Sequence, residues 1–359
     1  MRIVAIVERA WIGQAPSGGA ERMIHLLMSH LASQGWEAVG VVTNGLPYHR
    51  VTDGVEVIVS QEKNKIHELA SSADIILTHL GATPRARGMA RIYGKPLVQL
   101  IHNTSDYTVG FLGDGCDFAI YNSEWVRDFH EAHKNTAAIK SWQNHQLTEL
   151  RMRRCSEWPS IVVRPPVLDP EPRTSDGEYI TLVNLTPNKG PDVFYRLAEM
   201  NPDLKFLAVI GGYEPDKQVI RRDLPNVKIQ DHCLDVSEIY EQTRVVLMCS
   251  AYESYGLVAV EAAQYGIPTI ASDTPGLREC LGQAGFIRDR DDIAGWNQAL
   301  KYVLEYYDGA SARAADRYQQ LYQQSVSELE AFTRAMEEVA GGSIDDSRSG
   351  DSCQSNNRG

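Results

Sequence analysis

Short apolar runs alternate along this chain with longer segments in which apolar residues recur every three or four positions. A continuous apolar run of four to eight residues is typical of a buried parallel strand, and the longer period is typical of an amphipathic helix. The pattern predicts strands at residues 3–7, 38–43, 55–59, 75–78, 97–101, 118–121, 161–163, 179–183, 204–210, 227–230, 245–248, 269–272 and 286–287. It predicts helices at residues 20–34, 66–70, 84–92, 124–133, 192–200, 236–243, 293–306 and 310–339, and two more after Ser254 and Asp273. This alternation predicts an α/β fold with doubly wound sheets, whose ligands bind beyond the carboxyl ends of the strands.

A stretch rich in proline and charge, residues 168–177, separates two such sets of elements and has the composition of a linker. We therefore expect an N-terminal domain at residues 1–168 and a C-terminal domain at 169–310, followed by a helix at 311–340. Residues 341–359 are almost all Gly, Ser, Asp and Asn, so they are expected to be disordered.

Composition narrows the classes of partner and compartment. The formal net charge of the 359 residues is -12, which argues against nucleic acid or an anionic membrane as the main partner. Basic clusters at residues 151–154 and 221–222 are interpreted as solvated faces that leave room for weak contact with a membrane or an anionic acceptor. The six cysteines have no paired spacing, there is no apolar run of about 18 residues, and residues 1–7 do not resemble a signal peptide. These features predict a cytoplasmic protein.

The run from Glu253 to Glu261 has the strongest chemical signal in the chain. It follows a predicted strand and opens a predicted helix, with Ser254 as a plausible N-cap and Gly266 as the C′ residue. A helix start offers free backbone N–H groups and partial positive charge, which suit a phosphate. Two carboxylates beside such a site are poor phosphate ligands, but they are good acceptors for the hydroxyls of a sugar nucleotide.

Three other loops carry polar groups to strand ends. Gly18 and Gly19 precede a helix in the sequence Gly-Gly-Ala-Glu-Arg, Lys189 lies between a strand and a helix, and His102 follows a strand directly. Glycines allow the backbone to approach a ligand, and a lysine can pair with phosphate oxygens as a point charge. Neither a dinucleotide fingerprint nor a Walker-type phosphate loop occurs here, so a dehydrogenase is poorly supported.

These motifs together resemble retaining glycosyltransferases of the GT-B fold, particularly glycosyltransferase family 4. Members of that family have two Glu residues separated by seven, a Gly-Gly-x-Glu-Arg loop and a Gly-Arg-Leu-x-x-x-Lys-Gly loop. The resemblance covers about residues 1–340 and is stronger in the second domain. It departs at Asn184, which stands where the family has an arginine that clamps phosphate.

The resemblance implies two facing Rossmann-like domains, with the last helix crossing back to the first. It implies transfer of a hexose-type sugar from a nucleoside-diphosphate sugar to an acceptor hydroxyl, with retention of configuration, no metal ion and no other cofactor. Glu253, His102 and Lys189 would act in catalysis. Donor binding would use Gly18, Gly19, Asn184, Lys189, Ser254, Tyr255, Gly256, Leu257 and Glu261, with Glu261 on the ribose and Glu253 on the sugar.

Alternatives remain open from the sequence. A sugar-nucleotide epimerase or an inverting transferase of the same fold would need a catalytic base from the first domain, and a non-catalytic module would only bind the nucleotide. The pair His130 and His133 lacks a third metal ligand, and Asp289 and Asp291 precede a helix start, so surface histidines and helix capping are expected instead. The turn Asn122–Trp125 resembles a family turn, and we assign it a structural role, with Ser123 as the N-cap.

Overall fold

The structure is a computed structural model that describes residues 1–8, 18–105, 108, 115–133, 158–212, 215–233 and 235–342. The strands are β1 Arg2–Val7, β2 Glu37–Val42, β3 Tyr48–Thr52, β4 Val55–Val59, β5 Ile75–Thr78, β6 Leu97–Ile101, β7 Phe118–Tyr121, β8 Ser160–Val162, β9 Tyr179–Val183, β10 Phe206–Val209, β11 Val227–Gln230, β12 Thr243–Met248, β13 Thr269–Ser272 and β14 Phe286–Arg288. The helices are α1 Gly19–Ser33, α2 Lys63–Ser72, α3 Thr83–Tyr93, α4 Glu124–His133, α5 Pro191–Met200, α6 Ser237–Tyr240, α7 Leu257–Gln264, α8 Pro275–Leu281, α9 Ile293–Glu305 and α10 Tyr307–Ala340.

The strands form two separate sheets. One has eight strands in the order β3-β4-β2-β1-β5-β6-β7-β8, and the other has six in the order β11-β10-β9-β12-β13-β14. We call the eight-stranded sheet with its helices the first domain and the six-stranded sheet with its helices the second domain. Every pairing is parallel except that of β3 with β4. The predicted doubly wound α/β architecture is confirmed.

Central strands of both sheets are covered on both faces, which explains their continuous apolar sequence. β5, β6 and β10 are buried along their whole length. On α1 the apolar residues Met23, Ile24, Leu27 and Leu31 are all buried against the first sheet. The parallel strands bring their carboxyl ends to one edge of each sheet, and these two edges border the same cleft.

The last helix, α10, connects the cores of the two domains. Near its start Ala310 packs in the second-domain core, and Leu321 packs beside α7. Further along, Phe332 and Met336 are fully buried with Ile3 of β1 in the core of the first domain. The predicted crossing of this helix back to the first domain is therefore confirmed.

Four local predictions need correction. Strand β3 was not predicted, because it is an exposed edge strand whose residues alternate in burial instead of forming an apolar run. The helix predicted at residues 236–243 is only α6, since Thr243 already begins β12. The start of α7 is capped by Gly256 and not by Ser254, and Asp292, not the earlier aspartates, caps α9 through its bond with Gly295 N at 2.9 Å.

Some predictions lie outside the described residues. These are the basic cluster at 151–154 and the tail from residue 343 onward. In the part of the chain that the structure describes, no helix combines the length and the apolar character that crossing a membrane requires.

Candidate functional site

A cleft of about 950 Å³ lies between the two domains at the carboxyl ends of their strands. Sugar- and nucleotide-sized ligands bind in cavities of this size, and topological switch points of parallel sheets are their usual location. We call Gly18, Gly19, Arg22 and His102 the first-domain wall and Asn184, Lys189, Glu253 and Glu261 the second-domain wall. All eight of these residues line the cleft. All of them except Arg22 are site residues that the sequence predicts, and the structure brings them together from loops far apart in the chain.

Lys189 and Glu253 meet on the second-domain wall. Lys189 ends a short 3-10 turn after β9, and its Nζ lies 2.5 Å from Glu253 Oε1. Ser250 Oγ donates to the same carboxylate oxygen at 2.8 Å. Gly190 allows this approach, because a Cβ there would lie 2.2 Å from the carbonyl oxygen of Cys249. A cation and a carboxylate are therefore held side by side near the N-terminus of helix α7.

Glu261 lies about one turn into α7 and is contacted from both domains. Its Oε1 accepts from Arg22 Nη1 of α1 at 2.5 Å, and its Oε2 accepts from the hydroxyl of Tyr240 at 2.6 Å. Tyr240 is buried, and burial together with the Glu261 charge raises its pKa well above the ordinary value, so the phenol stays protonated and keeps donating. The ion pair spans 239 residues of sequence and joins the two walls.

The loop before α7 approaches both walls through its backbone. Gly256 has φ 119°, a conformation that favours glycine, and it leads directly into the first turn of the helix. Tyr255 is 2% exposed and its side chain packs in the second-domain core, so what it can offer a ligand is its backbone. Leu257 lies 3.8 Å from the Cβ position of Gly19, so the start of α7 faces the start of α1 across the cleft.

Asn184 occupies a strained position on the second-domain wall. Its φ is 73°, in the left-handed region that asparagine tolerates better than most residues. Its Oδ1 accepts from Thr186 N at 3.1 Å and from Gln218 Nε2 at 3.3 Å. A Cβ on Gly211 would lie 2.6 Å from this side chain. Asn184 therefore shapes the loop that carries Lys189, and it supplies no positive charge to the cleft.

His102 of the first-domain wall is paired with another histidine that the sequence did not single out. The Nδ1 of His79 lies 3.2 Å from the Nε2 of His102, at the ends of neighbouring strands β5 and β6. Burial lowers the pKa of His79 to about 4, and burial together with the His79 charge lowers that of His102 to about 3. Both rings are neutral at pH 7, so one of the facing nitrogens donates and the other accepts.

Gly18 and Gly19 form the start of α1 as predicted. Gly18 is the N-cap, and its backbone N donates to Glu21 Oε2 at 3.1 Å. Glu21 is thus used to cap the helix, whereas Arg22 on the next position reaches Glu261. Neither glycine carries a side chain at this helix start, which is what a close approach of the backbone to a ligand requires.

The turn Asn122–Trp125 begins α4 and also contacts Ser254 of the second domain. Ser123 Oγ accepts from Val126 N at 3.4 Å, which fits the predicted N-cap, but the same hydroxyl donates to the Ser254 carbonyl at 2.8 Å. Trp125 Nε1 donates to that carbonyl at 2.7 Å, and Asn122 Nδ2 donates to Ser254 Oγ at 3.0 Å. The predicted structural role of this turn therefore includes contacts with the second domain.

His130 and Asp289, which the sequence raised as metal-ligand candidates, have other partners in the structure. His130 is buried rather than exposed, and its Nε2 lies 2.8 Å from the carbonyl oxygen of Asn103. Asp289 Oδ1 accepts from Asp291 N at 2.9 Å and so stabilises the turn before α9. Among the described residues, no three His, Cys, Asp or Glu side chains converge as a set of metal ligands.

Leu80 marks a point of backbone strain in the cleft. In the described part of the chain, the non-glycine residues with positive φ are Asp53, Leu80 and Asn184, and all three line this cavity. Asp53 belongs to the Asp-Gly turn between β3 and β4, where such a conformation is ordinary. A positive φ is unusual for a leucine such as Leu80, which directly follows His79. Strained residues tend to cluster at functional sites.

Comparison with known proteins finds a family similarity in the second domain. Residues 170–320 match the family model described as glycosyl transferases group 1. D-inositol 3-phosphate glycosyltransferase of Mycobacterium sp. (strain KMS) is 30% identical over 145 residues, which are 36% of this chain and 33% of that protein. Glycogen synthase of Mycobacterium tuberculosis (strain H37Rv) is 27% identical over 282 residues, covering 69% of this chain and 64% of that protein. The match thus spans about a third of the first relative's length.

Solved structures share the fold over nearly the whole chain. Sucrose-phosphate synthase from Thermosynechococcus elongatus superposes with a TM-score of 0.72 at 16% identity, covering 95% of this chain and 100% of that one. Anabaena HepE, solved in complex with UDP and glucose, gives 0.71 at 15% identity, covering 94% and 100%. At such identities the likeness shows the fold, and this fold is the GT-B arrangement of two facing α/β domains.

Proposed function

We propose that the whole chain transfers a sugar from a nucleoside-diphosphate sugar to an acceptor hydroxyl. The premise is that residues 170–320 carry a glycosyl transferase domain of group 1. The observation that carries the proposal is the meeting of Lys189 and Glu253, 2.5 Å apart, at the start of α7, with Glu261 about one turn further on. One cleft therefore offers a cation and a helix start for a diphosphate and two carboxylates for hydroxyl groups.

In the proposed reaction the bond between the anomeric carbon and the diphosphate oxygen breaks, and a bond from that carbon to the acceptor oxygen forms. The proton of the acceptor hydroxyl passes to the leaving diphosphate. The negative charge that develops on the leaving diphosphate would be stabilised by Lys189 Nζ and by the N–H groups at the start of α7. Glu253 would accept from the donor sugar hydroxyls and Glu261 from the ribose. His102, neutral at pH 7, would donate to or accept from the sugar on the first-domain side.

The finer points of the proposal rest on the family resemblance. The sugar is transferred with retention of configuration, and the diphosphate is neutralised without a resident metal ion because Lys189 and the helix start supply the positive charge. Proteins of the same fold bind UDP in their solved complexes, which makes UDP-sugars the first donors to try. The acceptor enters from the first domain.

The proposal is tested by incubating the protein with UDP-, GDP- and ADP-glucose and measuring release of the nucleoside diphosphate, with and without simple glycosides as acceptors. We expect release from one donor, unaffected by EDTA, and a product whose anomeric configuration by NMR matches that of the donor. Inverted product would indicate an inverting transferase. If the protein binds a donor tightly but releases no nucleoside diphosphate, not even by slow hydrolysis, it is a binding module.

A further inference from the structure

The residues on either side of Glu253 are both bound by the first domain. On one side, the Tyr252 hydroxyl accepts from Thr104 N at 3.0 Å. On the other, the Ser254 carbonyl accepts from Ser123 Oγ at 2.8 Å and Trp125 Nε1 at 2.7 Å. Glu253 itself is held by its own domain, through Lys189 and Ser250. Its backbone is therefore positioned from one domain and its carboxylate from the other.

The turn that makes these contacts is itself fixed by the second domain. The carboxylate of Glu279, on α8, accepts from the backbone N of Glu124 at 3.0 Å and of Trp125 at 3.2 Å, at the start of α4. Arg164 lies 2.7 Å from the same carboxylate. A charge at this helix start orients α4 and with it the indole and hydroxyl that reach Ser254.

The packing leaves the Glu253–Ser254 backbone little room to move. A Cβ on Gly276, at the start of α8, would lie 2.4 Å from the carbonyl oxygen of Glu253. The Trp125 ring also contacts the Tyr252 ring edge to face, with centroids 5.9 Å apart. Donors from the first domain and the backbone of α8 thus both contact this segment.

We propose that the turn Asn122–Trp125 is a positioning element for Glu253, which reaches its working geometry only when the two domains are docked through this turn. The proposal rests on the proposed function for Glu253, but the contacts themselves do not. Binding of a nucleotide at Lys189 and Glu261 alone would not need the turn, whereas the chemical step would. Such a division lets the enzyme assemble its catalytic geometry only in the closed arrangement of the domains.

The test is the Trp125→Phe variant, which keeps an aromatic ring beside Tyr252 but removes the N–H that donates to Ser254. The matched control is Trp158→Phe, because that partly buried indole donates to the Tyr121 hydroxyl at 3.4 Å, entirely within the first domain. With UDP-glucose as donor, or the donor found active, we expect kcat to fall about tenfold in Trp125→Phe and about a hundredfold when Ser123→Ala is added. The Kd of UDP should stay within about twofold, and the control should match the wild type.

A second measurement keeps the test independent of activity. Amide hydrogen exchange in residues 252–256 should become at least about tenfold faster in Trp125→Phe than in Trp158→Phe. If the wild type splits no donor, the proposed function fails, and this exchange still decides the positioning role. Unchanged exchange, or a kcat equal to that of the control, would overturn the proposal even if Trp125→Phe lowered the melting temperature.

Discussion

The two walls of the cleft differ in how their polar groups are assembled. On the second-domain wall, Glu253 and Glu261 come from one short stretch of sequence, and Lys189 completes the set from the adjacent loop. On the first-domain wall, Arg22 and His102 come from separate elements and are held by partners elsewhere, Glu261 and His79. The comparison suggests that the second domain supplies most of the charge for chemistry, while the first supplies placement.

If placement depends on docking of the domains, the buried ion pairs between them should be costly to break. Arg164 pairs with Glu279 of α8 and Glu328 of α10, and all three side chains are largely buried. Replacing Arg164 by Met leaves two carboxylates uncompensated, and we expect a loss of about 3–5 kcal/mol in the free energy of unfolding. Chemical denaturation followed by circular dichroism measures this.

The control for Arg164→Met is Arg278→Met, which breaks an exposed pair with Asp273. That change should cost far less stability than Arg164→Met, because exposed pairs contribute little. Adding Glu328→Gln to Arg164→Met should restore part of the stability. Equal losses in the two single variants would mean that the domain junction is not a special source of stability.

The different roles of the two walls are tested by substituting one residue from each and comparing the effects on kcat. We expect Glu253→Gln to lower kcat about a hundredfold or more, because a preorganised charged group on the reacting sugar is lost, with little change in donor KM. His102→Asn, on the other wall, should lower kcat only about tenfold, because asparagine can still donate one hydrogen bond. Steady-state kinetics with the active donor measures both, and a larger effect at His102 would reverse the comparison.

The histidine pair predicts a pH dependence that belongs to the first domain. Because the pKa values of His79 and His102 in the folded protein, about 4 and about 3, lie below the ordinary 6.5, the unfolded chain takes up protons first as the pH falls. The stability from neutral burial is present above about pH 6.5 and is lost as the pH falls toward the folded values. At pH 5 the loss should be about 2 kcal/mol per histidine.

This pH effect is measured by denaturation at pH 7 and pH 5 in the wild type and in His79→Gln/His102→Gln. The double variant should lose clearly less stability over that interval than the wild type. His49→Gln is the control, since His49 is exposed on β3 and its pair with Glu56 is at the surface. The same pH sensitivity in all three proteins would mean that other groups dominate acid unfolding.

Local sequence patterns predict only part of the fold and of the site. The buried strands have continuous apolar runs, and the second-domain wall lies in contiguous motifs, so both were predictable. Strand β3 has no such run, although the Asp53-Gly54 turn before β4 is a hairpin signal that could have indicated it. The contacts of Arg22 with Glu261 and of Asn122 with Ser254 join residues 239 and 132 positions apart, and no linear pattern specifies which side chains meet across a cleft.

The central claim, that the second-domain wall holds a nucleoside diphosphate, is tested most directly by the melting temperature with UDP, GDP, ADP and NAD. The wild type should rise by several degrees with one diphosphate at about 100 times its Kd, a stabilisation of about 2.7 kcal/mol, and should not respond to NAD. Lys189→Ala should lose the shift, whereas Lys205→Ala, which removes an exposed lysine paired with Glu178, should keep it. No shift with any diphosphate, or an undiminished shift in Lys189→Ala, would contradict the account.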